Sequence, residues 1–458
     1  MGFRRRVLPA LAIIACGRIG FVAQNSGGDA NDGDGDGASV PPTAHASPIA
    51  TVDGTGITDI SYEADGTHIV FADNNPASNG NLVIFRQGDG TTMLKVYVST
   101  DHGATWTRYI LSPAGTGVMN VMGACQDTVT HLFHLSWIDQ AVVDEYARVQ
   151  PTYTGGDITG FTIVAIYAYY NDGVDTPGSR DLSEIVDSDG VHRLLFSGTG
   201  SAGGNQGLYK LGVTTPSGGV APASLGDWAD ATNHSNTSSN DQLLPNNYPT
   251  GDQNATFMLS VSSNLAAGTT APAIVVAGFP VDEKLIAWTI TPAANSNFTI
   301  GAVETVSTHF GAGTGTRTGA SLSLVSAPSG ATQIVYNEAA SSPAPGLHVA
   351  TFSASGALAI DSQPQPTTST QARHAVIATD SQSRPAVLYA DGAGNIVGTL
   401  YWPPAAAWLP AAQVSAAPTP DSAWSITNVW SPGGQDTFGY YRDDGAATTT
   451  TFSQVYWR

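Results

Sequence analysis

The chain has 458 residues, with 17 Lys+Arg against 37 Asp+Glu and a formal charge of −20. Only 12% of residues are charged, and just three are Lys and six Glu, so the residues that clothe helix surfaces are scarce and the composition argues against a helical bundle or coiled coil. A hydrophobic share of 41% supports a packed core, while the acidic balance argues against nucleic acid as a partner, because phosphate binding needs clustered cations.

Residues 1–16 read as an export signal. Arg4, Arg5 and Arg6 form a charged start, and residues 7–15 form an apolar run too short to span a bilayer. The run ends Ile13-Ile14-Ala15-Cys16, which resembles the lipid-attachment box of bacterial lipoproteins. That resemblance implies lipid on Cys16 and a place at the outer membrane or cell surface. A periplasmic or secreted chain is the alternative. The other cysteine, Cys125, then has no partner, so no disulfide framework supplies stability.

Residues 17–50 are expected to be a disordered tether rich in Gly, Asp and Pro. Asp29, Asp32, Asp34 and Asp36 alternate with small residues as in a calcium loop, but the Glu that closes such a loop is missing. A flexible acidic spacer is the preferred reading. Neither a metal nor a cofactor is expected.

From residue 57 a pattern recurs: an alternating strand, a tight polar turn, then a second apolar strand. Copies stand at 57–71 (ITDISYEADGTHIVF), 120–137 (NVMGACQDTVTHLFHLSW), 181–196 (DLSEIVDSDGVHRLLF), 321–336 (SLSLVSAPSGATQIVY) and 374–389 (HAVIATDSQSRPAVLY). Looser ones stand at 256–276 and 426–440. A third strand often follows, as in 207–213, 346–352 and 395–401. Period-2 alternation, β-branched and aromatic residues, and Gly/Asp/Ser turns are strand signals. A repeated four-stranded antiparallel unit is one blade of a propeller. The expected fold is therefore all-β, a six- or seven-bladed β-propeller over residues 51–458, with a β-sandwich or β-helix as alternatives. The last strand, 451–457, is placed to complete a blade begun near the N-terminus. A monomer is expected.

Residues 98–107 read VSTDHGATWT and contain Ser99-x-Asp101-x-Gly103-x-x-Trp106. This resembles the Asp box of sialidases and related propellers. The resemblance implies a turn between the third and fourth strands of a blade, away from the catalytic face. Ser99, Asp101, Gly103 and Trp106 are therefore read as structural: Asp101 can accept backbone hydrogen bonds, Gly103 can take positive φ, and Trp106 can pack.

Sialidases, as the resemblance implies, hold a substrate carboxylate with three Arg and use a Tyr–Glu pair and an Asp. The Phe/Tyr-Arg-Ile-Pro element of that family is absent; the nearest stretch is Phe85-Arg86-Gln87-Gly88. Arg180, Arg317 and Arg373 each precede the first strand of a repeat and could form an anion-binding set, since guanidinium meets carboxylate bidentately. The bland alternative is three unrelated loop arginines. Glu184, Tyr336 with Glu338, Tyr440 and Asp73 are weak catalytic candidates, each with a packing or capping alternative. His68, His131 and His192 share one register on different repeats and are read as framework, and His131 and His134 do not aim at one face of a strand.

Three functions compete. The first is an exported, lipid-anchored propeller that binds glycans or surface polymers, with Trp228, Tyr248, Trp402 and Trp424 expected on exposed loops. The second is a glycoside hydrolase or polysaccharide lyase. The third is a structural or protein-interaction propeller.

Overall fold

The computed structural model describes residues 40–46, 50–53, 70–87, 93–112, 118–127, 130–139, 144–170, 181–186, 192–199, 206–214, 258–262, 272–280, 282–292, 298–311, 320–360, 363–415, 424–426, 431, 435–444 and 449–458. These all belong to the unit Gly37–Arg458. Residues 1–16, expected to be an export signal, and the acidic stretch at 29–36 lie outside the described residues. Among the described residues the helical content is one 3-10 turn, Pro403–Ala405, and no helix is long and apolar enough to cross a membrane.

The described strands form seven antiparallel sheets. The first comprises Val70–Ala72, Leu82–Gln87, Leu94–Ser99 and Thr107–Leu111. The second comprises Val118–Gln126, Phe133–Asp139, Asp144–Thr154 and Asp157–Tyr170. The third holds Asp181–Val186, His192–Thr199 and Gln206–Thr214. The fourth holds Met258–Val261, Ala273–Phe279 and Lys284–Pro292, with Phe298–Ile300 and Glu304–Ser307 sharing the outer position. The fifth is Leu322–Ser326, Thr332–Glu338, Gly346–Phe352 and Leu358–Ala359. The sixth is Arg373–Thr379, Pro385–Ala390 and Ile396–Trp402, edged by Ala407–Trp408 and Ala412–Ser415. The seventh is Trp424–Ile426, Thr437–Asp444 and Thr449–Trp457, completed by Ala44–Ala46 and Ala50–Asp53 from the far end of the chain.

Alternation along a strand sorts side chains into two different cores. Val83 and Phe85 pack against Phe133, Leu135 and Trp137 of the second sheet. Leu82 and Ile84, on the other face of the same strand, pack with Phe452 of the seventh. Ile334 and Tyr336 join the fourth sheet, whereas Val335 between them joins the sixth. This is why central strands such as Leu94–Ser99, Ala273–Phe279 and Pro385–Ala390 are buried at every position. Each large side chain so enclosed contributes about 1.5–3 kcal/mol.

Each sheet packs on the next in chain order, through neighbouring first strands from Val118–Gln126 onward. The seventh packs back on the first: Trp106 meets Phe452 edge-on at 5.0 Å, and Val52 and Phe452 share a core with Leu82, Ile84 and Tyr97. A closed ring of successive antiparallel sheets is a β-propeller, not a sandwich of two layers.

The repeats at 120–137, 181–196, 256–276, 321–336, 374–389 and 426–440 are found as paired neighbouring strands. Of 57–71 only the end is described, and Val70–Ala72 pairs forward with Leu82–Gln87. The boundary at residue 51 needs correction. Ala44–Ala46, assigned by sequence to the tether, is a strand in register with 455–457. Its three residues carry almost no hydrophobic signal, and its partner lies at the opposite end of the chain.

A chain starting at residue 47 is expected to melt a few degrees below one starting at residue 40, because the edge of Thr449–Trp457 loses its partner over 455–457. Equal melting temperatures in a thermal scan would show that this pairing contributes nothing.

Candidate functional site

Neighbouring strands run in opposite directions. The first-to-second connections, and the third-to-fourth connections of the sheets in which both strands are described in chain order, therefore emerge on one side of the ring. The second-to-third connections and the links between sheets emerge on the other.

The first of these sides is laced by turns. In the turn Ser99–Trp106, Ser99 Oγ accepts from the Gly103 N–H (2.7 Å) and donates to Asp101 Oδ1 (2.8 Å). Asp101 also accepts from the Thr105 N–H at 2.8 Å and the Thr105 hydroxyl at 2.6 Å. Gly103 has φ 89°, and a Cβ there would run into the Phe452 ring. Trp106 donates its Nε1–H to the Gly103 carbonyl at 3.2 Å. The turn joins the third and fourth strands of its sheet.

Asp73 stands on this same side. It accepts from Gln126 Nε2 at 2.7 Å and from the Tyr153 hydroxyl at 3.1 Å, tying the first sheet to the second. Burial, the largest cause, raises the Tyr153 pKa above the ordinary phenol value; the Asp73 charge adds to this and a hydrogen bond to Asn75 opposes it. Asn74 reaches His131 Nδ1 at 2.9 Å. Further round, Ser383 Oγ accepts from the Ser329 N–H, and Ser381 donates to Asp436.

The other side carries a set of polar groups, some buried and some partly exposed. Glu338 ends the strand Thr332–Glu338, accepts from Ser307 Oγ (2.6 Å) and Ser342 Oγ (2.5 Å), and lies 3.5 Å from His348 Nε2. His348 is the register partner of Tyr336, and their rings stack at 5.5 Å. The Tyr-x-Glu pair is thus joined through a histidine that sequence reasoning missed. Gln365 donates to the Ala344 and Pro345 carbonyls, and the Leu347 N–H donates to the Thr367 carbonyl, which pins the link between the fifth and sixth sheets onto loop 339–345. Gly346 sits at φ 124° with Thr368 Cα 2.8 Å from where a Cβ would stand, so only glycine fits that junction.

A second acid–imidazole pair lies beside the first. Glu283 Oε2 accepts from Ser341 Oγ at 3.0 Å and lies 3.7 Å from His309 Nδ1. The two carboxylates are bridged through the adjacent serines 341 and 342.

Arg373 opens the first strand of the sixth sheet, exposed and with no carboxylate partner among the described residues. Arg373 pairs with Ala390 but Val376 with Leu388, so one extra residue is inserted, and His374 takes φ 51°. Such a bulge re-aims side chains. Nearby, burial raises the pKa of Tyr389, the Asp391 charge adds to it, and a bond to Thr367 opposes it.

The other expected residues are scattered. Arg180, Arg317, Trp228, Tyr248 and His68 lie outside the described residues. Glu184 is in the strand Asp181–Val186 opposite Leu194, and His192 opens the next strand. Tyr336 is in the core between the fourth and fifth sheets, and Tyr440 in the core between the sixth and seventh. His134 is fully buried, 3.7 Å from Asp127. Two aromatics expected on loops are not there: Trp424 begins a strand, and Trp402 ends one, half-buried beneath the Arg384 guanidinium at 5.0 Å. Both lie in runs whose prolines mimic loop composition. Arg86 is buried in a second strand. Among the described residues no cluster of three or more His, Cys, Asp or Glu could hold a metal ion.

No protein-family model matches the chain, and no curated protein matches its sequence. Several solved structures align with it at low identity. A mutant of AofleA from Arthrobotrys oligospora has a TM-score of 0.45 at 10% identity, over 91% of this chain and 88% of that one. An α-L-arabinanase of Penicillium chrysogenum complexed with arabinobiose has a TM-score of 0.40 at 12% identity, over 90% and 98%. The Aleuria aurantia lectin, a six-bladed β-propeller, has a TM-score of 0.39 at 11% identity, over 72% and 89%.

The Asp101 carboxylate has a pH signature. Its burial tends to raise the pKa, but the Thr105 and Ser99 hydrogen bonds together outweigh that and hold Asp101 below its ordinary value. A folded pKa below the unfolded one gives stability that is fully present above about pH 4 and is lost as pH falls through the folded value. Asp101→Asn should therefore melt lower than the unaltered chain at pH 7, with the gap narrowing toward pH 3. A gap independent of pH would rule out a contribution from the charged form.

Proposed function

We propose that the chain is an exported, seven-bladed propeller of the Asp-box kind, lipid-anchored through Cys16, that binds glycans without cleaving them. The binding side is the one that carries the sheet-to-sheet links, Glu338, Glu283 and Arg373.

One observation carries the reading. The groups a hydrolase of that kind would bring together are dispersed. Tyr336 and Tyr440 fill two different inter-sheet cores, and Asp73 is spent on Gln126 and Tyr153 on the opposite side of the ring. Glu338 is already engaged by two hydroxyls and faces an imidazole. What the link-bearing side offers instead is carboxylate, imidazole, hydroxyl and guanidinium at partial exposure, the groups that recognise hydroxyl-rich ligands.

The purified chain should be retained on immobilised glycans and release no reducing sugar from them. Product release from a retained glycan would replace the binding reading by the hydrolase. In the native host, Cys16→Ser should move the chain from the membrane to the soluble fraction; an unchanged distribution would remove the lipid anchor from the proposal.

A further inference from the structure

We propose that Glu283 is a sugar-binding carboxylate, which accepts hydrogen bonds from two neighbouring hydroxyls of a neutral glycan. The proposal rests on the glycan-binding reading above and names its subsite and ligand class.

Three observations converge at the junction of the fourth and fifth sheets. The first is exposure. The Glu283 and His309 side chains are 32% and 36% exposed, while Glu338 and His348 are 12% and 3% exposed. The two acid–imidazole pairs therefore divide into a rim that a ligand can reach and a floor that it cannot.

The second is unused capacity. Ser341 Oγ occupies Glu283 Oε2, and Oε1 accepts from no donor among the described residues. A carboxylate has about four acceptor sites. A vicinal diol can fill the remainder with two charge-assisted hydrogen bonds, which are about twice as strong as neutral ones.

The third is backbone strain. Glu283 sits at φ 53° in the turn between Ala273–Phe279 and Lys284–Pro292. Glycine is the ordinary occupant of such a position, and a glutamate there is strained. The strain is maintained by the Phe310 N–H, which donates to the Glu283 carbonyl at 2.7 Å. A partly exposed carboxylate at a strained turn is better explained by what it contacts than by what it stabilises.

The floor explains how the rim is held. Ser342 is buried and bonded to Glu338, which fixes loop 339–345 and so places Ser341 against Glu283. Ser307 ties the other edge: it donates to Glu338 and accepts from the His309 N–H at 3.0 Å. Glu283 is the contacting group, and Ser341 and His309 position it. Two carboxylates at one junction of a chain with net charge −20 select an uncharged ligand over an acidic one.

Titration calorimetry of the full chain against neutral oligosaccharides and the matching uronic-acid oligosaccharides tests this. Neutral forms should bind more tightly, and Glu283→Gln should weaken them about tenfold or more. Glu283→Gly removes the carboxylate and relieves the left-handed strain, so it should abolish binding while the melting temperature holds or rises. Unchanged affinity in Glu283→Gln, or preference for the uronic acids, overturns this subsite and leaves the glycan reading standing. Binding of no oligosaccharide by the unaltered chain overturns both.

Discussion

The ring is held shut by one backbone pairing. Ala44–Ala46 and Ala50–Asp53 lie along Thr449–Trp457, and Thr43 and Arg458 exchange both of their backbone hydrogen bonds at 2.7 and 3.1 Å. Without that pairing the seventh sheet would present an open edge. With it, Val52 and Phe452 reach the core of the first sheet, and Gln454 donates to the His102 carbonyl. The turn Ser99–Trp106 is thereby braced from the neighbouring sheet. Gly103 lies against Phe452 and the Trp106 ring meets it edge-on, so the motif's glycine and tryptophan answer to the closing strand as much as to their own turn.

Closure also explains the contrast between the two sides of the ring. The side with short turns is crossed by side-chain hydrogen bonds from sheet to sheet: Asn74 to Gln126, Ser329 to Ser383, Ser381 to Asp436. These satisfy turn backbones that would otherwise rely on water. The opposite side carries longer connections, pinned at a few points such as Leu347 to Thr367 and Gln365 to the Ala344 carbonyl. Connections of that kind can carry recognition because the scaffold beneath them does not depend on their composition.

Much of the fold was legible in the residues. Paired apolar runs marked strand pairs such as 321–336 because the central strands face two cores, and the turn at 99–106 was legible because its hydroxyl, carboxylate and glycine act within one local loop. Ala44–Ala46 was not legible, since a three-residue edge strand is defined by its distant partner. The polar junction was legible only at Glu338. His348 could have been found by setting GLHVATF opposite TQIVYNE, which places it across from Tyr336. Glu283, His309 and Ser341 meet through three separate connections, and no local pattern encodes such a meeting. Trp402, expected on a loop, ends a strand with its face stacked under Arg384.

The closing pair joins segments at opposite ends of the chain, which has a kinetic consequence. Residues 44–53 leave the ribosome long before residues 449–457 exist, so the first strands to be made wait for the last. Pairing at that sequence separation brings the loop-closure entropy to its largest value in the molecule, and it makes annealing of the seventh sheet a natural slow step. Until then each intermediate sheet can dock on its predecessor, while the first keeps one apolar flank, Leu82, Ile84 and Tyr97, uncovered. Nascent chains are therefore stickiest at that flank, and their lifetime is set by how soon the final ten residues arrive.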